Sequence, residues 1–282
     1  MKKQHIFFAG GFPRAGSTIL INILNQNPQL SGSPTSGLIG SLLNIKDGWR
    51  QSDIYRAAEE NYVYPKIKNM MRWMLLGFYY DQIENGIIPI DKNRGWTGRV
   101  DLLDDLFETK VKIIYPIRNV VDCCISMELM NRKSSLLNHG DNGNWINEQT
   151  TRGRVQNFLK DDGIFGLPIL YLRELMYRGD TDRLVVVPYN DLLKYPKETL
   201  DRLHNQLDLP LFNYDFNNIK QTIFENDIEH GFAPQTLHKI KEGKLLSPQP
   251  RKENIFIKED IDQIETTYSD INNFINEKSL KL

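Results

Sequence analysis

Gly10-Gly11-Phe12-Pro13-Arg14-Ala15-Gly16-Ser17-Thr18 is the stretch that decides the fold. It follows a short apolar run, Ile6–Ala9, and precedes a segment with Ile19, Leu20, Ile23 and Leu24 at helical spacing, so it reads as strand, glycine loop, helix. Glycines let backbone wrap closely around phosphate oxygens, and the free N–H groups and positive dipole end of the following helix stabilise the anion. The frame from Gly11 through Gly16 to Thr18 has the spacing of the Walker A phosphate loop, yet Ser17 stands where the lysine belongs. That lysine reaches the β and γ phosphates in nucleoside triphosphatases, so its absence argues against ATP or GTP hydrolysis. Arg14 brings the cation from inside the loop instead.

Working outward, Ile6–Ala9, Ile87–Ile90, Val111–Ile117 and Leu184–Val187 are nearly continuous apolar runs, the pattern of strands buried on both faces. Helical periodicity fills Gly16–Asn25, Tyr55–Asn85, Val120–Asn131, Leu167–Tyr177 and Asp191–Leu207 between and after them. The alternation predicts an α/β fold: a three-layer P-loop-like domain with a central parallel sheet flanked by helices. Ile257, Ile261, Ile264, Tyr268, Ile271 and Ile275 give one apolar face to a C-terminal helix. Ser31–Gln51 and Ser134–Thr151 read as irregular, and long loops of this kind carry substrate sites.

The charge balance, 35 Lys+Arg against 36 Asp+Glu for a net of −1, argues against a nucleic-acid partner, which calls for a basic stripe. A chain of 282 residues buries an ample core, and residues 1–282 are expected to form a single domain. No apolar run reaches the roughly 18 residues of a membrane span, and the apolar start is too brief for a signal peptide. Cys123 and Cys124 are adjacent, which suits neither a loop-closing disulfide nor a zinc site and points to a reducing cytoplasm.

A second phosphate element follows the strand Val111–Ile117: Arg118-Asn119-Val120-Val121-Asp122-Cys123-Cys124-Ile125-Ser126. Ligands of open α/β sheets sit beyond the carboxyl ends of strands, so Arg118 lies on the same side as the glycine loop. An arginine fork and a serine hydroxyl are apt donors to a dianionic phosphate.

Together these residues resemble the sulfotransferase superfamily, which uses 3′-phosphoadenosine 5′-phosphosulfate as donor. Gly11, Pro13, Arg14, Ala15, Gly16, Ser17 and Thr18 are similar to its 5′-phosphosulfate loop, especially that of tyrosylprotein sulfotransferases and their bacterial relatives. Arg118 to Ser126 is similar to its 3′-phosphate motif, and Val187-Pro188-Tyr189-Asn190-Asp191-Leu192 to the later strand whose tyrosine, here Tyr189, lies near the nucleotide. The resemblance covers about residues 5 to 210. It implies metal-independent transfer of a sulfuryl group to a hydroxyl or amine of a small-molecule, carbohydrate or peptide acceptor, leaving 3′-phosphoadenosine 5′-phosphate.

In-line transfer places charge on the leaving phosphate, so cations near the bridging oxygen accelerate it. Arg14 is one candidate catalyst; Lys92, in Ile90-Asp91-Lys92-Asn93-Arg94-Gly95-Trp96, is the other, since some branches of the family carry a leaving-group lysine after this strand. The acceptor also needs a general base, a histidine or glutamate elsewhere in the family. Where the tyrosylprotein branch has its glutamate, this chain has Ser31-Gly32-Ser33-Pro34-Thr35-Ser36, with Glu59, Glu60 and Asp91 as substitutes; the base stays unassigned. Thr236-Leu237-His238-Lys239-Ile240-Lys241-Glu242-Gly243-Lys244, ahead of Pro248 and Arg251, resembles the late basic loop over the nucleotide, which nominates Lys239 and leaves His238 as a surface residue. Trp49, Trp73, Trp96 and Trp145 read as core or, near the irregular loops, as acceptor wall. A P-loop nucleotide kinase and a nucleotide binder without chemistry are the alternative readings.

Overall fold

The computed structural model describes residues 6–133, 149–229, 237–247 and 255–281. Its centre is a five-stranded parallel sheet: β1 Phe7–Ala9, β2 Leu30–Thr35, β3 Ile88–Lys92, β4 Ile113–Ile117 and β5 Leu184–Pro188, in the order β2-β3-β1-β4-β5. Register runs Phe7↔Ile90 from β1 to β3, Phe8↔Ile113 to β4 and Ile113↔Leu184 to β5.

Strand alternation divides the core in two. Phe7, Ala9, Ile90, Ile114, Val185 and Val187 face one apolar layer; Phe8, Ile113, Tyr115, Ile117, Leu184 and Val186 face the other. The first layer is covered by α1 Ser17–Leu24, and the second by α2 Leu38–Gln51, α4 Glu60–Phe78, α5 Tyr80–Glu84 and α6 Val100–Phe107, with the short α3 Asp53–Ala57, which buries no residue, joining α2 to α4. After β4 come α7 Val120–Lys133, α8 Thr151–Leu159 and α9 Gly166–Tyr177 on the second layer. After β5 come α10 Tyr189–Lys194 and α11 Pro196–Gln206 on the first, then α12 Lys258–Thr267 and α13 Ser269–Lys278 on the second. Because α1 and α7 leave their strands toward opposite faces, a crevice opens between the carboxyl ends of β1 and β4, the switch point of the sheet.

Several sequence expectations change. Ser31–Gln51 is not irregular but holds β2 and α2. Ser33 and Pro34 disguise an edge strand, which needs hydrogen-bonding partners on one side only. Gly40 and Gly48 dilute the Leu38, Leu42, Ile45, Trp49 stripe of the helix. The expected helix over Tyr55–Asn85 is three helices, broken at the extended residues Ala58 and Glu59 and again at Tyr79. Pro196 interrupts Asp191–Leu207, because the residue before a proline is driven out of the helical region; Tyr195 sits at φ −131°. The C-terminal stripe bends at Tyr268, burying Ile264, Tyr268 and Ile271, while Ile257 lies 57% exposed ahead of the helix. Most of the stretch Ser134–Thr151, residues 134–148 with Trp145 among them, lies outside the described residues, and Thr151 opens α8. Among the described residues no helix is long and apolar enough to cross a membrane.

Candidate functional site

The glycine loop is welded to β4. Gly10 N donates to Ile114 O at 2.9 Å and Phe12 N to Pro116 O at 3.1 Å, so the pairing of β1 with β4 continues into the turn. A Cβ on Gly11, at φ +93°, would stand 2.2 Å from Pro116 O, so only glycine permits this approach. Phe12 is buried edge-on against Tyr115, pinning the loop. Arg14 itself occupies the left-handed region at φ 60°, a backbone cost of about 1 kcal/mol that the loop accepts to aim its side chain. Beyond Gly16, α1 begins without a side-chain cap and with no acid in its first turn, so its positive end faces the crevice.

A cavity of about 680 Å³ fills that crevice. Pro13, Arg14, Gly16, Ser17, Thr18, Lys92, Arg118, Ser126, Tyr189 and Lys239, all singled out in the sequence, line it together. Gly11 and Ala15 do not: they lie behind the loop and shape it. Thr236, Pro248 and Arg251 of the late loop lie outside the described residues.

On the β4 lip, the Arg118 guanidinium stands 4.5 Å from the centre of the Tyr189 ring, and its buried Nε has no hydrogen-bond partner among the described residues. Asp122 reaches only to 4.0 Å. Arg14 Nε donates to Ser126 Oγ at 3.2 Å, and Arg14 Nη1 donates to the Leu237 carbonyl at 2.7 Å. Burial and the nearness of Arg118 both lower the Arg14 pKa. Two guanidiniums and a hydroxyl thus converge, with Asp122 no nearer than 4.0 Å to Arg118, an arrangement that a bound anion stabilises.

On the other lip, Lys92 is 5% exposed and donates from Nζ to Glu225 Oε1 at 2.7 Å. The same oxygen accepts from Thr35 N at 2.9 Å and Thr35 Oγ1 at 3.1 Å. Desolvation would raise the Glu225 pKa, but Lys92, with His238 and Thr35 adding to it, brings it down to about 2. Burial lowers that of Lys92, with Glu225 opposing. Behind them Asp227, 1% exposed, accepts from His238 Nδ1 at 2.7 Å.

Glu225 and Asp227 escaped the sequence reading, and His238 belongs to the cavity wall rather than the open surface. Among the carboxylates proposed as bases, Asp91 faces away: strand alternation buries it on the far side, where Tyr79 OH and Trp96 Nε1 donate to it at 2.7 and 2.6 Å. Glu59 and Glu60 lie exposed at the start of α4, off the cavity. Trp96 is core, Trp49 packs against the core and Trp73 is 68% exposed; none of the three lines the cavity. The signal for Glu225 was indirect: Thr35 stands at the strand end where a carboxylate was sought, and a remote one fills the place.

Residues 7–213 match the model of a family described as "Sulfotransferase family". No curated protein matches the chain. Among solved structures, the sulfotransferase domain from the curacin biosynthetic pathway aligns with a TM-score of 0.55 at 16% identity, covering 95% of this chain and 99% of that one. The sulfotransferase domain from the Synechococcus PCC 7002 olefin synthase aligns with a TM-score of 0.51 at 17% identity, covering 95% of each chain. At these identities both show the same α/β fold.

Proposed function

The chain belongs to the sulfotransferase family, and on that premise we propose that it moves a sulfuryl group from 3′-phosphoadenosine 5′-phosphosulfate to a hydroxyl or amine of a small-molecule, carbohydrate or peptide acceptor. The observation that carries the donor assignment is the buried Nε of Arg118, which makes no hydrogen bond among the described residues, set on Tyr189 across the crevice from the open end of α1. Arg118 and Ser126 fit a 3′-phosphate; the loop from Pro13 to Thr18 fits the phosphate at the 5′ end. The donor supplies an activated sulfuryl group on its 5′-phosphate. Lys92 faces the charge that collects on the leaving phosphate, and Arg14, held between Ser126 and Leu237, adds a second cation. Lys239, exposed at the rim, adds charge along the entrance.

A kinase reading has less support, because Ser17 leaves no lysine for a γ-phosphate. Residues 1–282 act as one unit in this reading: Ile219 and Ile223 join the core of α1, and Phe256, Ile271 and Phe274 join that of α7. The free, buried thiols of Cys123 and Cys124 suit a reducing cytoplasm.

Calorimetry with 3′-phosphoadenosine 5′-phosphate in the absence of magnesium tests the donor site. Tight binding is expected, weakened about 10- to 100-fold by Arg118→Ala through loss of a charge-assisted contact, with ATP binding far more weakly. No binding by folded wild-type protein would overturn the assignment.

A further inference from the structure

We propose that Arg94 selects the acceptor by its charge, and that the acceptor is a small hydroxylated carboxylic acid whose carboxylate lies in the fork of this guanidinium while its hydroxyl meets the sulfuryl group beside Lys92. This rests on the sulfuryl-transfer reading above and narrows its acceptor to one chemical class.

The cavity has two ends, told apart by the elements that build them. At one, Gly16, Ser17, Arg118, Tyr189 and Leu193 surround the proposed nucleotide site, on the loops after β1 and β4 and on α10. At the other, Arg94, Lys160, Ile164, Leu167, Pro168 and Tyr171 come from the turn Arg94–Arg99 after β3, from the connection between α8 and α9 and from α9 itself. Lys92 closes β3 between them. The charges follow the same division: Arg118 acts on Arg14, whereas Arg94 acts on Lys92. The donor phosphates are met at the first end by Arg118, Ser126 and the start of α1, which leaves Arg94 to the acceptor.

Arg94 is fixed at its root. Asn93 Oδ1 accepts from Gly95 N at 2.8 Å, Asn93 Nδ2 donates to Ser36 O at 2.7 Å, and Trp96 N donates to Asn93 O at 3.2 Å. The facing wall is equally constrained. Phe165 N donates to Phe158 O at 2.9 Å and Gly163 N to Lys160 O at 2.7 Å, and a Cβ on Gly166 would stand 1.8 Å from that same carbonyl oxygen. The Tyr171 ring covers Gly98, where a Cβ would meet it at 2.5 Å. A ligand entering here meets a preformed site.

The tip of Arg94, by contrast, has no counter-charge. Among the described residues no carboxylate forms an ion pair with it, and its hydrogen bond there is a stretched 3.5 Å contact from Nη1 to Ile164 O. The negative charge that steadies it is Glu225, whose Oε1 already accepts from Lys92 and Thr35. The side chain is open to the cavity, yet the surrounding protein desolvates it enough to lower its pKa. A cation so placed is costly until an anion joins it. Asp162, the one carboxylate among the described residues lining the cavity, is spent on Lys160 at 3.6 Å and is 73% exposed.

A carboxylate matches a guanidinium with two parallel hydrogen bonds, which fixes orientation as well as position. Ile164, Leu167, Pro168 and Tyr171 then offer an apolar wall to the carbon body between carboxylate and hydroxyl. The cavity of about 680 Å³ holds nucleotide and acceptor together, which suits a small acceptor.

The test uses the full chain saturated with 3′-phosphoadenosine 5′-phosphate and two probe acids, one aromatic and one aliphatic: 4-hydroxyphenylacetate and 6-hydroxyhexanoate, each compared with its methyl ester. Arginine Nε–Hε signals of 15N-labelled protein report binding, and Arg94→Gln identifies the signal of Arg94. At least one acid is expected to shift that signal saturably, with its ester at least about 10-fold weaker. Arg94→Gln should weaken the acid about 10- to 100-fold, and Arg94→Lys should restore part of the loss. Calorimetric affinity of Arg94→Gln for the nucleotide, bound at the opposite end, should stay within about twofold of wild type. No saturable shift with either acid, equal binding of acid and ester, or a loss of nucleotide affinity as large as that of Arg118→Ala overturns the proposal. Failure of wild type to bind the nucleotide strikes the donor reading instead, and titration of the unliganded protein with the acids still decides the role of Arg94.

Discussion

The Tyr189 ring lies so close over Gly16 that a Cβ there would stand 2.5 Å from its Cδ2, and the same ring carries the Arg118 guanidinium. One aromatic side chain thus sets the distance between the positive end of α1 and the arginine of β4. The start of α1 and the Arg118 guanidinium are not independent; each is measured from Tyr189.

Gly16→Ala should therefore damage both. At φ +87° the alanine is strained, and its methyl displaces the ring. We expect a loss of about 1–3 kcal/mol in stability together with weaker nucleotide binding. Thermal unfolding and calorimetry on the same sample check it; a variant that binds like wild type would remove Tyr189 from its spacing role.

Arg118 should discriminate between nucleotides rather than bind all of them. Arg118→Ala is expected to weaken 3′-phosphoadenosine 5′-phosphate about 10- to 100-fold while changing adenosine 5′-phosphate by no more than about threefold. Competition calorimetry separates the two, and equal losses would move the 3′-phosphate away from this arginine.

Lys92 and Glu225 give the fold an acid-sensitive joint. The folded carboxyl titrates at about 2 against an ordinary 4.5, so the pair's contribution is complete above pH 4.5 and disappears as pH falls toward 2. At neutral pH it is on the order of 3 kcal/mol. Lys92→Met leaves the carboxylate buried without its cation, so the variant should be less stable than wild type at pH 7 and the gap should close on acidification. Urea unfolding at pH 7 and pH 3.5 reads the effect; a gap constant with pH would refute it.

Glu128 is a second buried acid, on α7, fully enclosed and gripped by Arg154 at 2.6 and 2.8 Å and by Arg132 at 2.8 Å. Burial alone would raise its pKa, but the two arginines prevail and lower it. This cluster holds α8 on α7, the helix that carries Ser126. Glu128→Ala should cost about 2–4 kcal/mol, because it removes the acceptor of the part-buried Arg154 and of Arg132, and Glu128→Gln less. Denaturant midpoints for the pair of variants provide the check.

The parts of the site that were legible in the sequence are those whose partners are close in the chain. The glycine spacing from Gly11 to Gly16 and the step from Arg118 to Ser126 each belong to one strand-to-helix turn, so local rules reach them. β2 was hidden for a packing reason: a Cβ on Gly32 would meet Ile21 at 2.4 Å, so the strand carries glycine where a β-branched residue would announce it. Ser33, which reads as loop, accepts a hydrogen bond from Lys92 N at 3.0 Å, replacing a ladder contact. Glu225 sits 133 positions from Lys92, in a segment with no helical or strand period. Nothing in its neighbours marks it, since its place depends on the Ile219–Gly243 pairing and on Asn22.

That last contact ties the order of synthesis to the completion of the site. Asn22 and Thr222 are 200 positions apart, so at about 5–20 residues per second the ribosome delivers the second about 10–40 s after the first. Arg14 and Lys92 are likewise made long before their partners Leu237 and Glu225. The cations of the cleft are therefore encoded well ahead of the segment that narrows it, which is the last part of the wall to leave the ribosome.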